Sequence, residues 1–344
     1  MIKQLGTRMI PWALCAFTAP SAWAQQVQIY GILDAAAGAV NQGRGWTRQL
    51  MSGGQSGSRL GFTGSEDLGG GLRATFRLES QINLDDGSTG LGVFWGRRAH
   101  VGLSGSFGEV LLGRDYSPGF YSVQQNDIGS LGMFGTLQSV HSLDIETARF
   151  NNGIFYTSPD FSGLQLRAMY SFGERADPPL DGGNSAGLGA YYKAGPLHFN
   201  VYYHDIKVAT PGQASSTTRR QYGGGGGWNF GDWRLTAALG QSDPPGDHDK
   251  VTYLSSGVGV RTGLGEVMAQ AMRLKSEVTQ GHATTLGLSY IHLLSKRTNV
   301  YASVGRTRND SRGSFPLNNS QTSFAPSSAG LAVSGAMIGM RHTF

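Results

Sequence analysis

Apolar and polar side chains alternate one by one through most of this chain. In residues 72–79, LRATFRLE, the apolar side chains share one face of an extended chain, and Arg, Thr, Arg and Glu share the other. The same alternation runs through residues 164–170, 197–204 and 233–239. Successive side chains of a β-strand point to opposite faces, so each segment is predicted to be a strand with one apolar and one polar face. After residue 24, no run approaches the ~20 apolar residues of a membrane-spanning helix.

The alternating segments number about sixteen, and each is close to the 9–11 residues that a tilted membrane strand requires. Short connections such as 158–163, SPDFSG, take turns with long ones such as 41–57, NQGRGWTRQLMSGGQSG, and 309–328, NDSRGSFPLNNSQTSFAPSS. Short turns at one end and long loops at the other are typical of outer-membrane barrels. The 53 glycines and the charged content of 15% also suit many thin strands better than a soluble core.

The polar faces indicate which side of the sheet meets water. Sixteen strands enclose a lumen too wide for side chains to fill, so the polar face lines water and the apolar face meets lipid. Closure also leaves no unpaired strand edge in the hydrocarbon. We therefore predict an all-β fold, a 16-stranded antiparallel transmembrane β-barrel with short periplasmic turns, long extracellular loops and a third loop that folds inward.

The N-terminal segment is typical of a secretory signal. Lys3 and Arg8 precede an apolar stretch, and a small-x-small site ends at Ala24. Residues 1–24 are predicted to be a signal peptide and residues 25–344 the barrel; a buried N-terminal helix is the alternative. Cleavage would lower the net charge from +5 to +3 and remove Cys15, the only cysteine. No disulfide or cysteine-ligated metal is then possible.

The chain ends on an aromatic residue, Phe344. Residues 330–344 must pair with the first strand if the barrel closes, so the terminus is expected to be structural. Phe344 is predicted to assist closure and to lie in the aromatic girdle at the membrane boundary.

Several motifs resemble the general porins of Gram-negative bacteria, most closely those of β-proteobacterial type. They are QVQIYGILDAA, SRLGFTGSEDLGGGLRATFRLES, GRRAHVGLSGSFGEVLLGRDY, RFNNGIFYTSPDFSGL and the terminal GMRHTF. The resemblance implies a homotrimeric pore in the cell outer membrane, in contact with outer-membrane lipid and lipopolysaccharide. Small hydrophilic solutes and inorganic ions would pass by diffusion, and a third loop, about 116–148, would narrow the barrel.

The resemblance also implies the residues of the constriction. Arg59 in SRLGF, Arg97 in GRRAHVGL and Arg149 in RFNNGIFY match wall arginines, and Glu79 in RLES matches an acidic wall position. Strand parity agrees for Arg59 and Glu79. For Arg97 the parity is ambiguous, and its neighbour is a competitor. The constriction is therefore predicted to contain Arg59, Arg77, Glu79, Arg97, Arg98, Asp127 and Arg149.

The third loop departs from the family pattern. Met133 stands where an acid is often found, Asp127 is the nearest carboxylate, and Asp144 and Glu146 follow at the end of the loop. Several wall arginines facing few loop acids would leave a positive throat, which favours anions. We therefore expect a mild anion preference.

Other kinds of site receive less support. The pairs His141-Ser142 and Asn151-Asn152 supply residue types of a lipid hydrolase, but no nucleophile elbow surrounds them. The triplet 247–249, Asp-His-Asp, could hold a divalent cation, although an exposed acidic loop is the simpler interpretation. The glycine run 223–227 lacks the Lys-Ser/Thr of a phosphate-binding loop and suits a strand that another segment approaches. Basic residues are scattered singly, which does not favour nucleic-acid binding.

The sequence therefore predicts a passive diffusion porin that is not an enzyme and needs no cofactor. Two alternatives stay open. A substrate-selective channel for small carboxylates or similar anions would have a tighter throat. A non-conducting barrel adhesin would need a plugged lumen.

Overall fold

A computed structural model describes residues 26–209, 212–243 and 250–344, so the predicted signal peptide, residues 1–24, lies outside the described residues. One closed antiparallel sheet of sixteen barrel strands dominates the fold. We number the strands in chain order: β1 (Gln26–Asn41), β2 in two segments (Trp46–Ser52 and Arg59–Gly69), β3 (Leu72–Gln81), β4 (Arg98–Gly105), β5 (Gly108–Tyr116), β6 (Arg149–Thr157), β7 (Leu164–Ser171), β8 (Ser185–Ala194), β9 (Leu197–Val208), β10 (Thr217–Phe230), β11 (Trp233–Asp243), β12 (Val251–Thr262), β13 (Gly265–Ser276), β14 (His282–Leu293), β15 (Thr298–Asn309) and β16 (Val333–Thr343).

Every strand pairs with its neighbours in the chain, and the sheet closes where β16 meets β1. The register runs from Ile32 opposite Thr343 to Asn41 opposite Ser334. On its other side, β1 pairs with both segments of β2 in succession. Closure therefore satisfies the backbone hydrogen bonds that an open edge would expose to lipid, as the alternating pattern predicts.

The connections differ in length at the two ends of the barrel. At one end they are tight, with residues 70–71, 106–107, 195–196, 231–232 and 263–264 as examples. At the other end the longest are 82–97, 117–148 and 310–332. The long loop predicted over residues 41–57 is wrong, because Trp46–Ser52 continues the sheet and leaves residues 42–45 as the turn. Polar Thr47 and Gln49, which lie on the same side of the strand as buried Met51, hid this strand in the sequence.

The barrel is apolar outside and polar inside, as predicted. Leu188, Val201 and Ile338 are more than 60% exposed on the outer face, in the position of lipid-facing side chains. Gln270 and Asn200 point inward. No helix within the described ranges is long and apolar enough to cross a membrane.

Residues 117–148, between β5 and β6, fold into the barrel rather than over its end. They contain two short helices, α1 (Pro118–Gln125) and α2 (Gln138–Ser142). Apolar side chains of this inner loop, among them Val123, Leu137 and Val140, are fully buried against the wall. The inner loop thus gives a wide barrel the packed core that its wall alone lacks.

Deleting Phe344 is expected to impair assembly. Its N–H donates to the Gly31 carbonyl at 3.2 Å, and its carbonyl accepts from the Gly31 N–H at 3.1 Å. Its ring covers Gly31, where an added Cβ would lie 2.3 Å from the ring. The loss of two backbone hydrogen bonds and the ring contact would cost about 3 kcal/mol. The yield of heat-modifiable, folded barrel after refolding measures the effect.

Phe344→Tyr is the matched control, since it keeps the backbone bonds and the ring. We expect it to fold in normal yield. A deletion variant that also folds in normal yield would show that closure does not depend on this residue.

Candidate functional site

The inner loop contacts the barrel wall at its start, at its tip and at its end. At its start, Asn200 of β9 accepts hydrogen bonds from Ser122 at 2.5 Å and from the Asn126 amide at 2.8 Å. The Asn126 side chain fits because the facing residue of β10 is Gly225, where a Cβ would lie 2.6 Å from its amide nitrogen. Buried amides need such partners, so these bonds fix the position of α1.

At its tip the inner loop reaches the opposite wall. Phe134 is 1% exposed, and its N–H donates to Ser303 of β15 at 3.0 Å. Three glycines stand side by side beneath it on β14, β15 and β16: Gly287, Gly305 and Gly335. A Cβ on any of them would lie 2.2–2.8 Å from Phe134 atoms. The missing side chains therefore form the seat for the tip, and the loop spans the lumen.

Asp127 holds the internal shape of the inner loop. The residue is 3% exposed, and its carboxylate accepts the N–H groups of Gly129 at 2.8 Å, Leu131 at 3.0 Å and Leu137 at 2.5 Å, with Gln270 at 3.2 Å. The prediction that Asp127 is an acid of the constriction is therefore wrong in geometry. Three backbone donors turn its carboxylate into the loop and away from the open lumen.

Glu146 secures the end of the inner loop. It is fully buried, accepts from the Ser117 hydroxyl, and lies 2.8 Å from Nδ1 of His141 and 3.8 Å from Nδ1 of His204. Burial alone would raise the pKa of Glu146, but the hydrogen bond and charge of His141 outweigh it and hold that pKa below its usual value. An ionised Glu146 thus joins both ends of the loop to β9.

A second segment, residues 53–58, also projects into the barrel beside the inner loop. Residues 53–58 interrupt β2 and turn inward, because Asp34 of β1 accepts the N–H groups of Gly54, Gln55 and Ser56 at 3.1, 3.1 and 2.7 Å. Gln321, from the connection 310–332, accepts the Ser58 N–H at 2.9 Å. Both segments thus reach the channel beside the tip of the inner loop.

Tyr116, the last residue of β5, organises the arginines of the wall. Its hydroxyl accepts from Arg97 at 2.5 Å and from Arg149 at 2.8 Å, and its ring lies 4.4 Å from the Arg149 guanidinium. Arg97 also pairs with Glu79 at 2.6 Å, and both residues are nearly buried. The charge of Arg97 is therefore balanced within the wall, whereas Arg149 has a neutral phenol as its partner.

The neighbouring arginine faces a different partner. Arg98 opens β4 and pairs with Asp115 at 2.7 Å. Both Arg97 and Arg98 thus lie on the inner side, one on each side of Tyr116, so the choice between them does not arise. Arg97 precedes the regular strand, which is why strand parity gave an ambiguous answer for it.

Two cavities of about 320 Å³ each lie inside the barrel, on either side of residues 116–121. The upper cavity, towards the long connections, contains four arginines among its lining residues: Arg59, Arg97, Arg149 and Arg341. Of its lining residues in the described part of the chain, none is acidic. The lower cavity mixes charges, with the cations Arg77, Arg98 and Arg167 beside Glu109 and Asp115.

The predicted residues thus divide into two groups. The structure brings together Arg59, Arg77, Glu79, Arg97, Arg98 and Arg149 around the inner side of β2–β6, and places Asp127 elsewhere. Sequence reasoning missed Asp115, Tyr116 and Arg341. A register shift between Gly113 and Asp115 breaks the alternation near the first two. Arg341 could have been found from the sequence, because apolar Ile338 and Met340 alternate with Gly339 and Arg341 in β16.

The residues of the hydrolase alternative make unrelated contacts. Ser142 donates to the Ser139 carbonyl, His141 faces Glu146, and Asn151 accepts from Arg114. The triplet Asp247, His248 and Asp249 lies outside the described residues.

A closed transmembrane barrel with charge-lined cavities in its lumen is the architecture of a passive channel. The Gram-negative porin family matches residues 12–312. The outer membrane porin protein 32 of Delftia acidovorans is 32% identical over 98% of this chain and 99% of its own length. An outer membrane porin protein of Bordetella pertussis is 28% identical over 74% of this chain and 77% of its own length.

Solved structures agree. The anion-selective porin from Comamonas acidovorans superposes with a TM-score of 0.85, with 30% identity over 93% of this chain and 100% of that one. OmpT of Vibrio cholerae, in its trimer form, has the same fold at 16% identity, with a TM-score of 0.70 over 93% of this chain and 100% of that one. This chain belongs to the Gram-negative porin family and is an outer-membrane channel protein.

Acidification is expected to loosen the inner loop. Because the pKa of Glu146 is lowered by folding, its ionised form stabilises the attached loop above the ordinary carboxylate pKa of about 4.3, and this contribution is lost as the pH falls through the lowered value. Single-channel recordings should show steady current at pH 7 and current noise that grows as the pH is lowered stepwise below the ordinary carboxylate pKa. Glu146→Gln should be noisy at pH 7 as well.

The control is Asp144→Asn on the same loop. Asp144 pairs with Arg219 at an exposed position, where an ion pair contributes about 0–1 kcal/mol, so this variant should follow the native pH response. A Glu146→Gln channel that stays quiet at pH 7 would rule out Glu146 as the fastening residue.

Proposed function

We propose that this protein is a general diffusion porin with a preference for anions, passing small hydrophilic solutes and inorganic ions. The observation that carries the proposal is the upper cavity, which among the described residues is lined by four arginines and by no acid. Glu79 balances Arg97, but Arg59, Arg149 and Arg341 make no ion pair within the part of the chain that the structure describes.

Fixed charges inside a narrow aqueous path determine which ions enter it. Fixed cations that lack counter-charges attract anions and repel cations, and the low-dielectric wall strengthens both effects. Arg59 is held in place by a hydrogen bond from its Nε to the Gly57 carbonyl at 2.8 Å, and Arg149 by Tyr116. The anion selectivity named for the Comamonas acidovorans porin supports the proposed anion preference of this protein.

The proposal includes assembly as a homotrimer, the state named for the Vibrio cholerae barrel of the same fold. It also includes contact between the outer barrel surface and the lipid and lipopolysaccharide of the outer membrane. The absence of catalysis belongs to the proposal too, and family members that act as channels support it.

Replacing Arg59 and Arg149 by Ser is expected to shift selectivity towards cations. A unit charge about 5 Å from a permeating ion contributes about 0.8 kcal/mol in water, so each replacement should lower anion permeability about fourfold and raise cation permeability about fourfold. The anion-to-cation permeability ratio should therefore fall about 16-fold per replacement before screening by salt. Reversal potentials in a planar bilayer under a tenfold KCl gradient measure the ratio.

Arg73→Ser is the matched control, because it removes the same charge at an exposed position beside the turn 70–71. Its reversal potential should equal that of the native channel. If the double variant also keeps the native potential, these arginines do not govern selectivity.

The same recordings separate the alternatives. Ohmic openings in groups of three would support the open trimeric porin. Conductance that saturates at low concentrations of a small carboxylate would favour the substrate-selective channel. Folded, inserted protein without openings would overturn the channel proposal in favour of the adhesin.

A further inference from the structure

The outer surface of β13–β15 carries a group of cations that channel function does not use. Near the ends of these strands that lead to the long connections, Arg273, Arg306 and Arg308 are exposed, and Lys275 shares the outward parity of Arg273. Their neighbours in the same strands, Met272, Leu274 and Thr307, are buried on the inner side. We call these four cations the rim patch.

The strand register brings the rim patch together. Arg273 lies opposite Thr284, and Thr284 lies opposite Arg308, so the two arginines flank one threonine on adjacent strands. Neighbouring strands are about 4.8 Å apart, which puts their backbones roughly 10 Å from each other. Lys275 pairs in register with His282, and Arg306 with Leu286.

The rim patch lies directly above an apolar band. Leu286, Leu288 and Val304 are 49–56% exposed on the same outer face, two to four positions nearer the short turns than the level of Thr284 and Arg308. Such a change from aliphatic to basic side chains marks the level where hydrocarbon gives way to lipid headgroups. The patch is therefore at headgroup level on the side of the long connections.

The cations of the rim patch have no partner of their own. Among the described residues, none of the four makes an ion pair or a side-chain hydrogen bond. The nearby Glu277 is 3.7 Å from Lys250, and Asp310 accepts the backbone N–H groups of Arg312 and Gly313. Like charges this close repel one another unless an anion joins them.

The opposite part of the rim shows a different arrangement. On β9–β11, Arg220 lies between Asp205 and Asp243 in register, and Lys207 is 3.8 Å from Asp205. On those strands, acidic side chains of the protein lie next to the basic ones and balance their charge. No acid of the described strands is in register with a cation of the rim patch.

We propose that the rim patch binds the phosphate groups of an anionic glycolipid of the outer leaflet, the phosphorylated lipid anchor of lipopolysaccharide. Arginine pairs guanidinium N–H groups with phosphate oxygens in two parallel hydrogen bonds, and the apolar band below accommodates the acyl chains. The inference rests on the outer-membrane lipid contact of the proposed function and assigns that contact to one face of the barrel.

The test measures binding of bisphosphorylated lipid A to the folded full-length barrel in detergent, by native mass spectrometry at fixed ionic strength. Arg273→Ser with Arg308→Ser should weaken binding about 30-fold, since each basic residue near a lipid surface contributes about a fivefold factor. Dephosphorylated lipid A should bind native protein as weakly as lipid A binds the double variant.

Arg220→Ser with Lys207→Ser is the control, because it removes the same charge from the same rim where acids are adjacent. It should bind lipid A with native affinity. Equal weakening in both variants, or unchanged binding in the Arg273/Arg308 variant, would overturn the proposal.

Two further measurements distinguish lipid binding from the binding of a free anion and test the channel separately. Inorganic phosphate that displaces lipid A at equal concentration would overturn the lipid assignment in favour of a free-anion site. Single-channel conductance of the same variants in phosphatidylcholine bilayers tests the channel separately, and native conductance with lost lipid binding is the expected pair of results.

Discussion

The rest of the structure depends on one constraint: within hydrocarbon, every backbone N–H and C=O needs a partner in the protein. The sheet meets it by closing, with β16 paired to β15 on one side and to β1 on the other. Because closure forces one face outward and one inward, the period-two alternation becomes a division between lipid and water. The terminal Phe344 belongs to this seam through its two hydrogen bonds with Gly31.

A wide closed barrel creates a second requirement, because its wall alone cannot form a core. The inner loop answers it by crossing the lumen, with amides at one end and a phenylalanine on a glycine seat at the other. Its carboxylates serve this fastening: Asp127 holds the loop in shape, and Glu146 joins it to the wall. The third acid of the loop, Asp144, pairs with Arg219. Among the described residues no acid of the loop therefore lines the upper cavity, and Arg59, Arg149 and Arg341 there have no ion-pair partner.

Much of this could be predicted from single residues and their spacing. The resemblance to the porin family points to Arg59 and Glu79, with strand parity in agreement, and Phe344 follows from the need to close the sheet. Asp127 could not be assigned, because a carboxylate in a loop looks the same in sequence whether it faces water or three backbone N–H groups. The strand at Trp46–Ser52 was hidden by polar residues on an inner face, and the register shift near Gly113 hid Asp115 and Tyr116.

The sequence by itself determined the class of fold and the sign of the net charge, since alternation and strand length are local properties that need no knowledge of distant contacts. The tertiary structure decided which charges are balanced by a partner and which are not. Pairing Arg97 with Glu79, Arg98 with Asp115 and Arg149 with a neutral phenol joins residues 17–33 positions apart, and only the closed barrel with its inner loop brings them within hydrogen-bond distance. The physical reason is that electrostatic energy depends on separation and burial, which the order of residues along a strand does not specify.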